Sequence, residues 1–307
     1  MTPLADAYLY VIEPQGSWSP DEVRNVLVYG NCQAHAVYQA LGHVGFQGAP
    51  WRFIFAPNHA PGSQGYPGET DLSDDLLASV ALVLWQCETF ENPRGQVVRG
   101  RLPAGVPTVR FPAVFMPCLW PFICPEPRAV PEPRFPHTRF PYGDMIGLEI
   151  AKLGLTGPAA VSAYMDLSRV RMPDLPVRLE RDFARMRKTD AACDVGIAGF
   201  VARRFRHSHL IWSAYGHADH ALVFEIADRV AQAAARQLGP VTHPFDSATD
   251  EMKDRVGMGP VQIPIHPAVA EAFGLGPWIV DKRYAWMGQH WDFVEYLQRY
   301  IPYDTDW

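Results

Sequence analysis

The run Gly30-Asn31-Cys32-Gln33 carries the residue types that thiol chemistry needs. An apolar, β-branched-rich stretch at 26–29 leads into it and a helical pattern follows, so the cysteine falls at a strand-to-helix turn. At such a turn the first N–H groups of the helix have no partner within it, and the positive end of the helix dipole lies close. Both favour a thiolate and any oxyanion that forms beside it. On this reading Cys32 is the fastest-reacting of the five cysteines. Gly30 permits the tight turn and a close approach of backbone. The plain alternative is a buried structural cysteine, because free Cys packs well as a small apolar side chain.

A cysteine nucleophile needs a base, and eleven histidines are available. His217 stands out, in the segment Tyr215-Gly216-His217-Ala218-Asp219-His220, between a strand-like 210–212 and a long helical pattern. At a helix start the dipole opposes the protonated imidazole and leaves the neutral form that a general base requires. His220 lies one turn further on, and Asp219 can cap the helix or orient a histidine. The alternative is a set of polar residues gathered around a helix start.

The elements that must position these groups follow from periodicity. Residues 26–29, 52–55 and 80–85 read as short, nearly all-apolar strands, with 106–111 as a fourth. After Cys32, Ala36, Val37, Ala40 and Leu41 share a helical face, with Gly42 as its stop, and 71–78 is a second helix. Alternation of this kind predicts a doubly wound α/β core with a parallel sheet. The rest is mostly helical, at 144–153, 177–187, 195–205, 218–238 and 290–300. The clearest is 218–238, with Val223, Ile226, Ala227, Val230, Ala231 and Ala234 as its apolar stripe. Eleven prolines lie between 103 and 141, interleaved with Phe111, Phe115, Trp120, Phe122 and Phe140. Aromatics are scarce in disordered linkers, so this stretch reads as an ordered, extended loop that walls a site.

Composition narrows the classes. A chain of 307 residues with 48% hydrophobic content builds a sizeable core. A net charge of -6 without a basic tract argues against a nucleic-acid partner. The scattered, odd-numbered cysteines are no disulfide framework, and Cys118 and Cys124 lack the further ligands of a zinc site, so no metal is expected. The first residues carry no basic and apolar leader pattern, and no run is long enough to span a bilayer. A cytoplasmic protein with reduced thiols is the expectation.

Several of these segments together resemble one family. The run from Val26 through Ala34, Trp85-Gln86 after a strand, Phe111-Pro112, the stretch from Phe115 to Pro121, the 215–220 segment before a long helix and Ile263-Pro264-Ile265-His266-Pro267 fall in the order of the WcbI-type polysaccharide biosynthesis family. These are acetyltransferases of bacterial capsule synthesis that bind coenzyme A. Where the family carries Asn-His-Pro, this chain has Gly216-His217-Ala218. The resemblance covers nearly the whole chain and implies a single domain, 1–307, with an α/β core mainly at 20–115, the Pro-rich loop at 103–141 and a helical part at 142–307. It implies a core similar to SGNH hydrolases, with Cys32 at the serine position and His217 or His220 at the base position.

From the resemblance, Asn31 and Gln33 flank the reacting thiol and offer amides to an oxyanion. Gly30 and Gln86 sit at strand ends where such sheets hold ligands. Coenzyme A phosphates would call on Arg181, Arg187 and Arg204, since Arg suits bidentate phosphate contacts. The implied reaction is O-acetyl transfer from acetyl-CoA to a sugar of a bacterial capsular or surface polysaccharide. Alternatives are an SGNH-like esterase or thioesterase, and a non-catalytic coenzyme A- or glycan-binding subunit of a biosynthetic complex.

Overall fold

The apolar runs pair as the centre of a five-stranded sheet. In the computed structural model, which describes residues 10–14, 16–58, 72–88, 93–130, 132, 138–213, 216–259, 261–279 and 281–303, its strands are β1 (Tyr10–Ile12), β2 (Arg24–Gly30), β3 (Trp51–Pro57), β4 (Val80–Cys87) and β5 (Thr108–Pro112). They lie in the order β1-β3-β2-β4-β5. Strands β2 to β5 run parallel, and β1 closes one edge antiparallel to β3. Helices α1 (Cys32–Val44), α2 (Asp74–Ala78) and α3 (Pro93–Arg101) fill the crossovers.

Both sheet faces are covered, which is why the strands read as continuous apolar runs. Leu27, Tyr29, Ile54, Ala56, Val83 and Trp85 turn to one face and pack with Leu77 of α2 and Val98 of α3. On the other face Phe55 meets His35 and Tyr38 of α1, at ring-centroid separations of 4.9 and 5.9 Å.

Beyond the sheet come β6 (Ile123–Cys124), β7 (Gly143–Asp144), α4 (Met145–Lys152), α5 (Gly157–Arg171), α6 (Leu175–Asp190) and α7 (Ala198–Arg204). Helices α8 (His220–Ala233), α9 (Ala235–Leu238), α10 (Asp250–Val256), α11 (Pro267–Phe273) and α12 (Gly276–Ile279) follow. The hairpin β8 (Tyr284–Trp286) and β9 (Gln289–Trp291) precedes the closing helix α13 (Phe293–Tyr300). Helices α8 and α10 pack on α1.

Some boundaries differ from the periodicity. Helix α1 runs on through Gly42, where a Cβ would lie 2.4 Å from Ile12 Cδ1, so the bare position makes room for β1. It stops instead at Gly45, whose φ of 63° suits glycine. The 218–238 helix breaks at Ala234 into α8 and α9. Helix α5 escaped the sequence pattern because only Ala160, Tyr164 and Ser168 of its residues are buried, too thin a stripe to register.

The chain divides into two compact units that interleave along the sequence. The first comprises Met1–Val114, Ala184–Val201 and His217–Met258, and holds the sheet. The second comprises Phe115–Phe183, Ala202–Gly216 and Gly259–Trp307. Its core is aromatic: Phe140 lies 5.5 Å from both Trp286 and Tyr300, centroid to centroid. The Pro-rich stretch is ordered where described. Met116, Cys118, Leu119, Trp120 and Phe122 are buried, and Cys118 N donates to Asp182 Oδ2 at 2.8 Å. Residues 131 and 133–137 lie outside the described residues. Among the described residues, no helix is long and apolar enough to cross a membrane.

Candidate functional site

From β2 the chain moves to β3 on one side, and β4 then pairs on the other side of β2. The crevice outside the carboxyl ends of β2 and β4 is therefore the point where strand order reverses, and α/β sheets take ligands there. Gly30 ends β2, Gln86 and Cys87 end β4, and Cys32 opens α1 at this place in the first unit.

Asn31 is the N-cap of α1 and all its polar atoms are engaged. Its Oδ1 accepts from Gln33 N at 2.8 Å, its Nδ2 donates to Glu88 Oε1 at 2.9 Å, and its backbone N–H donates to Gln86 Oε1 at 2.8 Å. Its carbonyl accepts from His35 N at 3.1 Å. The Gly30 carbonyl accepts from Asn58 N at 2.8 Å, which ties the turn to the end of β3. A Cβ on Gly30 would sit 2.5 Å from Gln86 Oε1 and 2.6 Å from Ala34 Cβ, so β4 can approach only a bare position. Gly30→Ala is expected to cost about 1–3 kcal/mol through overpacking and to displace Asn31 from Gln86. Urea unfolding and calorimetry check this, and an unchanged midpoint would contradict it.

Gln33 has a different part from the one expected. Its Nε2 donates to Val114 O at 2.7 Å and its Oε1 accepts from Val114 N at 3.0 Å. The side chain fastens the segment after β5, while the Asn31 amide is engaged as a cap. The backbone N–H groups of Cys32 and Gln33 face the Cys32 thiol. Their pull towards thiolate is outweighed. Burial, aided by the Glu88 carboxylate, pushes the thiol up to about 11 although Cys32 keeps partial exposure. Burial thus opposes the thiolate that the helix end favours.

Gln86 is 3% exposed and positions the turn through Asn31. Its Nε2 is buried without a hydrogen-bond partner among the described residues. A buried amide donor left unpaired is costly, so a ligand oxygen fits the need.

His217 precedes α8 in the same unit and is half-buried. Its imidazole is held down to about 4, and the cause is burial rather than the dipole, since α8 begins at His220. Asp219 caps α8 through Ala221 N at 2.9 Å, and its Oδ2 lies 3.2 Å from His220 Nδ1. His220 is half-exposed, with its ring centroid 6.0 Å from that of Phe224.

Arg181, Arg187 and Arg204 are exposed on α6 and α7, with Arg187 in the first unit and the other two in the second. The hydrogen bonds described around Cys32 run through Asn31, Gln33, Gln86, Glu88 and Val114 instead. Glu88 and Val114 are the members that sequence reasoning missed. Glu88 meets Asn31 through the pairing of β4 with β2, a non-local register with no motif to announce it.

Against protein families, residues 25–237 match the one described as polysaccharide biosynthesis enzyme WcbI. A solved structure described as native WcbI, a polysaccharide biosynthesis enzyme, without a disulfide bond between coenzyme A and a cysteine, is similar at a TM-score of 0.59 and 15% identity. The likeness covers 91% of this chain and 88% of that one and bears on the fold. No curated protein matches.

Proposed function

Because the chain belongs to the WcbI polysaccharide biosynthesis enzyme family, we propose that it transfers an acetyl group from acetyl-CoA to a sugar hydroxyl of a bacterial capsular or surface polysaccharide. The carrying observation is the Cys32 turn at the switch point, with backbone N–H groups facing the thiol and an orphan donor on Gln86. An SGNH-like arrangement is part of this reading, with Cys32 where those enzymes place serine. A cytoplasmic location follows from the donor.

Coenzyme A supplies the activated acyl group as a thioester. In this reading the N–H groups of Cys32 and Gln33 stabilise the oxyanion that forms as the hydroxyl attacks. His217 takes the hydroxyl proton and returns it to the departing thiolate. Cys32 lines the thioester site rather than becoming acylated. Burial raises the Cys32 thiol and lowers the His217 imidazole, and both shifts oppose a resting thiolate–imidazolium pair. Arg181, Arg187 and Arg204 remain the proposed phosphate contacts.

That same proton mismatch favours one other reading, a coenzyme A-binding subunit without covalent chemistry. Calorimetry at two ionic strengths, followed by release of free coenzyme A from acetyl-CoA with and without sugar acceptors, separates them. Binding that weakens with salt and thiol release that requires a sugar are expected. Release in water alone means a thioesterase, binding without release means the subunit, and no binding overturns both coenzyme A readings.

A further inference from the structure

Two cysteines that the Cys32 site leaves unused lie together in the first unit. Strand β4 pairs with β5 in the register Trp85 to Arg110 and Cys87 to Pro112. Segment 193–195 is hung on β5: Asp194 N and Val195 N both donate to Arg110 O, at 2.9 and 3.3 Å. The Asp194 carboxylate accepts from Arg110 N at 2.7 Å and pairs with its guanidinium at 3.2 Å. Asp190 Oδ2 fixes the far end of the loop through Ile197 N and Ala198 N at 2.9 and 2.8 Å. Arg229 Nη1 donates to Gly196 O at 2.6 Å.

This scaffold sets Cys193 beside the end of β4, where its thiol and that of Cys87 act on each other, and both residues are partly exposed. Arg99, stacked 4.7 Å from the Trp85 ring centroid, and Arg110 bring positive charge to Cys87.

We propose that Cys87 and Cys193 are a dithiol modification site, which a low-molecular-weight disulfide oxidises to an intramolecular disulfide. A disulfide needs its two cysteines on neighbouring backbone segments, and β5 holds the Cys193 segment next to β4. The environment divides the roles. The Cys193 thiol and the two guanidinium groups lower the Cys87 thiol, whereas the Cys193 thiol is raised, so Cys87 is the readier nucleophile. The Cys87 thiolate attacks one sulfur of the reagent, breaks its S–S bond and expels one thiolate, leaving a mixed disulfide. Cys193 gives up its proton and attacks the Cys87 sulfur, expelling the second thiolate. Each reagent disulfide takes two electrons, both thiolates are protonated on release, and the protein gains one S–S bond.

The test treats the reduced, folded protein with glutathione disulfide and maps peptides by mass spectrometry. A Cys87–Cys193 bridge, with Cys32, Cys118 and Cys124 still free, is the expected result. Cys193→Ser should stop at glutathione on Cys87, and Cys87→Ser should slow modification of Cys193. Phenylarsine oxide, which spans two neighbouring thiols, gives a second readout on the unmutated chain: capture on the Cys87 and Cys193 peptides, lost after oxidation, supports the pair. Glutathione found first on Cys32 or Cys124, a Cys193→Ser protein with no adduct on Cys87, or no arsenical capture would each overturn the proposal.

Discussion

Replacing His217 by alanine is expected to lower acetyl transfer by about 10²–10⁴-fold, the usual cost of losing a general base, while coenzyme A binding and folding persist. The imidazole is half-buried and held down to about 4, so it is unprotonated throughout the neutral range. The pH profile carries the same signature. The limb that reports this base should be flat above about pH 5 and fall below it, because protonation near 4 removes the acceptor. His220→Ala should stay within a few-fold of the parent. His220 stands at the start of α8 against Asp219, and Asp219 keeps its cap on Ala221 without it. Thioester release with a sugar acceptor measures both variants. A silent His217→Ala with an inactive His220→Ala would move the base to the His220–Asp219 pair.

What the sequence reveals and what it hides divide along local and non-local physics. The strand core is legible because burial on both faces writes continuous apolar runs, with Val26, Leu27 and Val28 all at 0% exposure. The Cys32 turn is legible because strand, glycine, cap and helix are consecutive. Gln33 misleads because its partner, the Val114 backbone, lies beyond β5 and offers both a donor and an acceptor. Gly42 misleads because nothing local shows that Ile12 needs the space. The interleaving of the two units is hidden for the same reason: segments 184–201 and 217–258 join the sheet through tertiary packing. At Cys32 the local cue and the tertiary environment conflict. The helix end is visible in the sequence, whereas the burial that opposes it and the Glu88 carboxylate beside it are not.

That conflict sets the order in which the thiols react. At pH 7 iodoacetamide should reach Cys32 more slowly than Cys87, the reverse of what a helix-end cysteine implies. A thiol raised from 9.0 to about 11 carries roughly 100-fold less thiolate at pH 7. The stronger nucleophilicity of the more basic thiolate restores roughly a factor of 6–10, leaving a net deficit of roughly 10-fold. Cys87, pulled below its ordinary value by Cys193 and two guanidinium groups, widens the gap. Labelling of Cys32 should climb about tenfold per pH unit towards 11, since thiolate increases as pH rises to the pKa. Glu88→Gln should speed it, because the carboxylate opposes the thiolate. Peptide mapping between pH 7 and 9 reads all of these rates together. If Cys32 is labelled first at pH 7, burial does not govern this thiol, the helix end does, and acylation of Cys32 replaces direct transfer to the sugar as the route to test.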